Sequence, residues 1–212
     1  MEKTISAGHF IFYDAIPWIN LGLTYFLKPD IIHSQQVSSL NELNEALRCQ
    51  PQQTVVMELY GTHERLYEGV RYILQAKERW PDTAWVVFTD VENYSILHLL
   101  ATIPNISLVS KRERLEFILT GITSARYALG YQSPEIKRII EQHPLPAPVK
   151  LFSNTEWQVL ALMVSGLTPQ RIATTTRRTY KTISSHKLNI SHKVCIKQMD
   201  FIMMLLAFRK CA

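Results

Sequence analysis

The sequence lacks the features that mark secreted, disulfide-bonded and membrane proteins. Its 212 residues hold three cysteines, Cys49, Cys195 and Cys211, which are too few and too scattered for a disulfide framework or a zinc site. No apolar run approaches the roughly 20 residues that span a bilayer. The N-terminus lacks the basic segment and the small-residue cleavage site of a signal peptide. We therefore expect a cytoplasmic protein in a reducing compartment, with no membrane partner.

The motifs of common enzyme classes are also missing. The sequence contains no Gly-x-Ser-x-Gly, no phosphate loop that ends in Gly-Lys-Ser/Thr and no His-Glu-x-x-His. Its seven histidines lie singly, without a pair at metal-binding spacing. We therefore expect no catalytic residue, no metal and no cofactor.

Acidic residues are nearly absent from one end of the chain. Residues 151–212 carry nine Lys/Arg and two Asp/Glu, a net charge of +7, whereas residues 1–150 carry 14 Lys/Arg and 16 Asp/Glu, a net charge of −2. Pro144, Pro146 and Pro148 stand between the two, and alternate prolines favour an extended, semi-rigid spacer. We expect one domain in residues 1–130, a linker in 131–150 and a basic domain in 151–212, which favours a polyanion as partner.

The first domain alternates short apolar runs with helical periodicity. Apolar runs at residues 10–13, 54–57, 84–88 and 106–109 are typical of buried parallel strands. Ile31 and Ile32 open a second, weaker strand that ends near Val37, and helical spacing follows each strand. This order predicts a flavodoxin-like (β/α)5 sheet. Any ligand site then lies at the carboxyl ends of the strands, near Asp14, Met57 or Glu58, and Thr89.

The basic domain shows no strand pattern and predicts four helices. On a wheel of 100° per residue, Ile183, Ile190 and Val194 form one buried stripe of the third helix. The opposite stripe holds Lys181, Ser184, Ser185, Leu188 and His192. Lys187 lies on the flank, where a long stem can carry its charge to a phosphate.

The second and third of these helices fit a helix-turn-helix arrangement. Residues 169–173 predict a short positioning helix, and the following turn brings Arg177 and Arg178 before the third helix. Small serine side chains let such a helix enter the major groove of DNA, and Leu188 offers apolar contact to a thymine methyl group. A small helical bundle without nucleic-acid contact is the alternative that the wheel alone leaves open.

Three segments carry a resemblance to a known family. Phe-Ser-Asn-Thr-Glu-Trp-Gln-Val-Leu from residue 152, Ser-Gly-Leu-Thr-Pro-Gln-Arg-Ile-Ala from 165 and Lys-Thr-Ile-Ser-Ser-His-Lys-Leu-Asn-Ile from 181 resemble the LuxR-type DNA-binding domain, close to its enterobacterial capsule-regulator branch. The resemblance implies contact with double-stranded DNA and places the family contacts on Ser184, Ser185 and Leu188. The candidate DNA-binding residues are Arg177, Arg178, Lys181, Thr182, Ser184, Ser185, Lys187, Leu188 and His192.

With that second domain, the (β/α)5 unit resembles the receiver of a two-component response regulator. The resemblance implies an acidic pair, a phosphoacceptor aspartate, a Thr/Ser and a Lys at the strand ends, where carboxylates hold Mg²⁺ for phosphoryl transfer. Asp14, Thr89 and Lys111 match their positions, whereas Ala15 replaces the second acid. The acceptor position falls on Met57, which cannot accept a phosphoryl group, or on Glu58.

The resemblance therefore implies a degenerate receiver, or pseudo-receiver, that serves dimerisation. LuxR-type domains bind paired half-sites, so a homodimer and a heterodimer with a related LuxR-type response regulator are both expected partners. Two alternatives remain open. One is a conventional phosphorelay regulator that uses Glu58 or Asp14 atypically, and the other is a regulator that titrates a partner without binding DNA.

Overall fold

The computed structural model describes residues 8–27 and 32–211 as an α/β unit followed by a helical unit. The first unit contains β1 (Gly8–Tyr13), α1 (Pro17–Phe26), β2 (Ile32–Val37), α2 (Leu40–Cys49), β3 (Thr54–Met57), α3 (Leu66–Arg79), β4 (Ala84–Thr89), α4 (Tyr94–Leu100), β5 (Ser107–Ser110), α5 (Leu115–Arg126), β6 (Tyr131–Gln132) and α6 (Pro134–Gln142). The second unit contains α7 (Asn154–Val164), α8 (Pro169–Thr175), α9 (Tyr180–Lys193) and α10 (Gln198–Ala207).

The strands form one parallel sheet in the order β2-β1-β3-β4-β5-β6. Apolar strands such as β3 are buried on both faces because helices cover both sides of the sheet. Leu23 of α1 and Ile122 of α5 pack on one face, and α2, α3, α4 and α6 lie on the other. The predicted flavodoxin-like architecture is confirmed. The spacing of Ile19, Leu23, Phe26 and Leu27 predicts one buried face of α1, but Phe26 is half exposed.

The sheet continues beyond the predicted five strands. Tyr131 and Gln132 form β6, which pairs with β5, and α6 buries Ile136 and Ile139 against α4 and β5. The sequence analysis assigned residues 131–150 to a linker, and this assignment is wrong for residues 131–142. The two-residue strand is too short to show an apolar run, and the apolar stripe of α6 consists only of Ile136, Ile139 and Ile140.

The second unit is a bundle of four short helices with its own caps. Ser153 and Glu156 form a capping box at the start of α7, and Gly166 ends that helix with φ of 91°. Arg177 also has a positive φ, 53°, in the turn between α8 and α9. This left-handed residue redirects the chain so that α9 crosses α8. Within the described residues, no helix is long and apolar enough to cross a membrane.

The two units pack against each other around the N-terminus of α3. The backbone N–H groups of Leu66 and Tyr67, which have no partner inside α3, donate to the carbonyls of Lys210 and Phe208. The Tyr67 ring makes edge contacts with Trp157 and Phe208. The buried side chains of the second unit are therefore continuous with the core of the first.

Candidate functional site

One side of α9 is anchored in the core of the helical unit and the other faces solvent. Ile183, Ile190 and Val194 are fully buried, as the helical wheel predicted. Lys181, Ser185, Leu188 and His192 are exposed on the opposite side. Leu188 retains 55% of its surface exposed although it is apolar. The exposed side of α9 is thus short, mostly polar and free of acidic residues.

The cations around α9 differ in how firmly they are held. Arg177, Arg178 and Lys181 are exposed in the turn and in the first turn of the helix. Arg178 Nη1 lies 3.4 Å from His186 Nε2. Lys187 is half-buried because its stem crosses Phe201, with the ammonium 5.8 Å from the ring centroid. The Lys187 ammonium therefore lies at the flank of α9, as its position on the wheel indicates.

The hydroxyl groups of α9 divide into two sets. Thr182 belongs to the N-cap, because Thr179 Oγ1 accepts from its backbone N–H and lies 2.9 Å from its hydroxyl. Ser185 Oγ donates to the carbonyl of Lys181 at 3.0 Å, which leaves its oxygen lone pairs to accept from a ligand. Ser184 is half-buried at the edge of the exposed side.

A second polar site lies at the carboxyl ends of the strands, where the sequence predicted it. Lys111 Nζ lies 2.6 Å from Asp14 Oδ2 and 2.9 Å from Glu58 Oε2. Thr89 Oγ1 donates to Glu58 Oε1 at 2.6 Å, and the Leu59 N–H donates to the same oxygen. The structure therefore brings Asp14, Glu58, Thr89 and Lys111 into one ion cluster.

The register decides which residue after β3 enters this cluster. Met57 pairs with Tyr13 of β1 and is fully buried in the core. Glu58 follows it, is 1% exposed and points its carboxylate at Thr89 and Lys111. Of the two candidates that the sequence left open, Met57 and Glu58, the side chain that enters the ion cluster is that of Glu58. Glu58 also receives a backbone anchor, since its N–H donates to the Tyr13 carbonyl.

Burial controls the protonation of this cluster. Loss of solvation raises the pKa of Glu58 above its usual range, against the opposing effects of Lys111 and Thr89. Burial lowers the pKa of Lys111, but the Glu58 and Asp14 carboxylates outweigh it and hold the pKa above the ordinary lysine value. The lysine charge is thus shared by two carboxylates inside the fold. Among the described residues, no group of His, Cys, Asp and Glu side chains is arranged to hold a metal ion.

Sequence reasoning missed the residues that join the two units. Tyr67, Asp90 and Lys210 belong to no motif in the sequence and were not singled out. Lys210 Nζ lies 2.8 Å from Asp90 Oδ1, which also accepts from the Tyr60 hydroxyl at 2.7 Å. Contacts between residues 120 positions apart leave no periodic signal in a sequence.

Comparison with known proteins finds similarity for both halves of the chain. Residues 150–204 match the family of bacterial regulatory proteins, luxR family, known as GerE. The whole chain has the fold of RcsB from Salmonella enterica serovar Typhimurium. With RcsB bound to promoter P1flhDC, the TM-score is 0.61 at 20% identity, covering 97% of this chain and 100% of the other. With RcsB bound to promoter rprA, it is 0.59 at 19% identity, covering 94% and 98%.

Residues 150–204 therefore carry a luxR-type helix-turn-helix domain, and the preceding α/β domain shares its fold with the first domain of RcsB. The chain is also similar in sequence to the transcriptional regulatory protein RcsA. It is 24% identical to RcsA from Pantoea stewartii subsp. stewartii over 189 residues, covering 87% of this chain and 86% of the relative. It is 26% identical to RcsA from Klebsiella aerogenes over 188 residues, covering 85% and 84%.

Proposed function

We propose that the protein regulates transcription in the cytoplasm as one half of a DNA-bound dimer, in which α9 reads the major groove and the receiver-like domain provides dimer contact instead of phosphotransfer. The observation that carries the DNA-binding part is the exposed side of α9. It presents Lys181, Ser185, Leu188 and His192 to solvent while Ile183 anchors the helix in the core. A helix held in this way can enter the groove without unfolding its own domain.

Each exposed group has a distinct role in this proposal. Lys181, Arg177 and Arg178 lie where the N-terminus of α9 approaches the phosphates, so they provide affinity and position. Ser185 accepts from base edges, Ser184 accepts from or donates to them, and Leu188 contacts a thymine methyl group. Lys187 reaches a phosphate from the flank, with its stem held on Phe201. Thr182 acts indirectly through the cap that fixes the start of α9.

The ion cluster of the first domain supports a degenerate receiver. Glu58 already satisfies the Thr89 hydroxyl and the Lys111 ammonium, the two groups that would otherwise face a phosphoryl group. Ala15 supplies no carboxylate for Mg²⁺. These observations favour a domain whose strand-end site is closed by its own side chains and whose function is a protein contact.

The partner is proposed from the similarity to RcsA and from exposed apolar surface. As an auxiliary regulator of that type, the protein acts with a related LuxR-type response regulator, and a homodimer is the alternative. α10 presents Met199, Ile202, Met203 and Leu206 to solvent, spaced for one helix face. This face supports pairing of two helix-turn-helix domains on adjacent half-sites.

The test is DNA affinity measured against salt concentration, with and without a candidate partner regulator. Lys181→Ala removes one exposed cation from α9 and should lower the salt slope by about one unit, the effect of one lost phosphate contact. Lys137→Ala, an exposed lysine on α6, is the matched control and should leave the slope unchanged. Equal behaviour of the two variants would contradict the proposed role of α9. Absence of DNA binding under all conditions would support the titration alternative.

A further inference from the structure

A cavity of about 520 Å³ lies where the first unit, the connecting segment and the second unit meet. Tyr94 of α4 lines one wall, and residues 143–146 of the connecting segment line the next. The third wall comes from residues between 191 and 200, at the end of α9 and the start of α10. Pockets that hold small molecules have volumes of roughly 300–1,000 Å³ and often lie between domains. We call this space the interdomain cavity.

The aromatic part of the interdomain cavity is held in place by the protein's own contacts. The Tyr94 ring is stacked on His143, with the ring centroids 4.7 Å apart and the planes 7° from parallel. His143 Nδ1 lies 3.0 Å from the Ile139 carbonyl oxygen, and the His143 carbonyl oxygen lies 2.9 Å from His98 Nε2. A flat ring that enters the cavity therefore meets an aromatic surface that is already formed, so little conformational entropy is lost on binding.

Apolar groups from the other two walls complete the lining. Leu145 contributes from the connecting segment, where Pro144 and Pro146 fix the backbone φ on both sides of it. Ile196, in the turn between α9 and α10, is buried. Cys195 lies beside it with a half-buried side chain. The body of a ligand in this cavity is therefore expected to be apolar.

The charged side chains of the lining favour an anionic group on that ligand. Lys197 and His192 are exposed, and neither has an ion-pair partner among the described residues. Asp200 is the acidic side chain among the described lining residues, and the Tyr94 hydroxyl is bonded to it. Burial, followed by this bond, raises the pKa of Tyr94, so the hydroxyl stays protonated and occupies the Asp200 carboxylate.

We propose that the interdomain cavity binds a small aromatic carboxylate, whose ring lies against the Tyr94–His143 pair and whose carboxylate pairs with Lys197. A ligand held in this way contacts both units and the segment between them, so it stabilises their docked arrangement. The inference goes beyond the proposed function and depends neither on DNA binding nor on dimerisation.

The experiment is titration calorimetry of the purified full-length chain with indole-3-acetate and with benzoate, each compared with its uncharged amide. At least one carboxylate should bind saturably, and its amide should bind about tenfold more weakly or less, because it lacks the charge-assisted contact. Lys197→Gln should weaken binding of the carboxylate by about tenfold for the same reason. Lys137→Gln, an exposed lysine on α6, is the matched control and should leave the affinity unchanged.

The thiol of Cys195 shows where the probe binds. Cys49→Ser and Cys211→Ser remove the two exposed cysteines and leave Cys195 as the single thiol of the chain. In this double variant, the carboxylate at ten times its dissociation constant should slow alkylation of Cys195 by iodoacetamide about tenfold. The amide at the same concentration should slow it by no more than about twofold. Circular dichroism and thermal unfolding check that each variant is folded.

Three results would overturn the proposal. The first is that neither carboxylate binds at millimolar concentration. The second is equal affinity for a carboxylate and its amide, or an affinity that Lys197→Gln leaves unchanged. The third is saturable binding that does not slow alkylation of Cys195, because the probe then lies on another surface. A chain that binds the probe in the cavity but ignores every duplex would contradict the proposed DNA function and leave this inference standing.

Discussion

The hydroxyl of Tyr67, at the start of α3, donates a 2.8 Å hydrogen bond to the backbone carbonyl of Trp157 in the helix-turn-helix domain. The ring that carries this hydroxyl lies between Trp157 and Phe208, with ring centroids 5.5 and 6.0 Å away. One side chain of the receiver-like domain thus contacts the first and the last helical segments of the other domain. It fixes their relative position by a hydrogen bond as well as by packing.

We expect Tyr67→Ala to uncouple the two domains. Removal of a buried aromatic ring costs about 3–5 kcal/mol, and the ring lies at the domain contact. Thermal unfolding followed by calorimetry should change from one transition to two. Tyr67→Phe keeps the ring and removes only the hydrogen bond, so it should cost about 1 kcal/mol and preserve a single transition. A single transition in both variants would show that other contacts hold the domains together.

The contact of Lys210 with Asp90 should respond to pH and salt. Burial opposes ionisation of Asp90, but Lys210 and the Tyr60 hydroxyl outweigh it and hold the pKa below its usual 3.8. Because the pKa of Asp90 is lower in the folded state, its charge stabilises the fold at pH values above the ordinary pKa. This stabilisation is lost as the pH falls through the folded pKa. Both side chains are over one-third exposed, so the contact is worth at most about 1 kcal/mol and weakens in salt.

Asp90→Asn isolates this contact. At neutral pH the variant should expose the segment between the domains to faster proteolysis than the wild type. The difference should shrink as the pH falls below 3.8 and vanish once the pH is below the lowered pKa of folded Asp90. Glu78→Gln on α3 removes an exposed carboxylate elsewhere and serves as control. A constant difference at all pH values would mean that the Asp90 charge is not responsible.

Exposure to a small phosphoryl donor should leave the mass of the protein unchanged. Glu58 is paired with Thr89 and Lys111, and Ala15 stands where a second metal carboxylate would be needed. Intact-mass measurement with Mg²⁺ present should therefore show no adduct of about 80 Da, the mass of one phosphoryl group. A stable adduct that Glu58→Gln abolishes would instead establish the conventional phosphorelay alternative.

The stability of the helix-turn-helix domain should fall in acid through Glu156. This side chain is 4% exposed, bonded to Lys193 Nζ at 2.6 Å and to the Ser153 N–H at 2.7 Å. Burial alone would raise the pKa of Glu156, but these hydrogen bonds outweigh burial and lower the pKa below its usual 4.5. Its contribution is therefore full above pH 4.5 and is lost as the pH falls through the folded pKa.

Urea unfolding at two pH values measures this loss of stability in acid. Glu156→Gln should cost about 1–3 kcal/mol at pH 7, because hydrogen bonds to a charged group are lost and Lys193 is left without its carboxylate. At pH 3 the variant and the wild type should approach each other. Glu45→Gln, at an exposed position on α2, should change neither value by more than about 0.5 kcal/mol.

Gly69→Ala should severely destabilise the receiver-like domain. In α3 this glycine lies directly on the backbone carbonyl of Leu59, and an added Cβ would overlap that carbonyl. The contact is between two backbones, so no side chain can move to relieve it. We expect loss of more than about 3 kcal/mol or no soluble protein, as measured by urea unfolding, whereas Gly22→Ala should raise stability.

The sequence was sufficient to predict the parts of the fold that repeat locally. Buried strands, the capping box at Ser153 and the buried stripe of α9 all follow from a period of 2 or 3.6 residues or from a fixed spacing. The cluster of Asp14, Glu58, Thr89 and Lys111 was predictable because parallel strands end at one edge of a sheet. The Ser-x-x-Glu spacing at Ser39 predicts a capping box at the start of α2, and only half of it forms. Ser39 Oγ accepts from the Glu42 N–H, but the Glu42 carboxylate accepts from the N–H of Ser38 instead of Ser39.

The errors have one physical origin. β6 and α6 are held by long-range pairing with β5 and by two buried isoleucines, and a proline-rich segment follows them closely, so composition placed them in a linker. The choice between Met57 and Glu58 depended on strand register, which a one-residue shift reverses. Tyr67, Asp90 and Lys210 meet only because the two domains dock, and no local pattern encodes that docking.

Because α6 belongs to the receiver-like domain, eleven residues separate its end at Gln142 from the start of α7 at Asn154. A tether of this length sets an effective concentration on the order of millimolar for one domain beside the other. Even a weak interface is then occupied most of the time. Under the proposed function, a DNA complex that requires separated domains must first break this intramolecular contact, so the docked arrangement opposes such complexes.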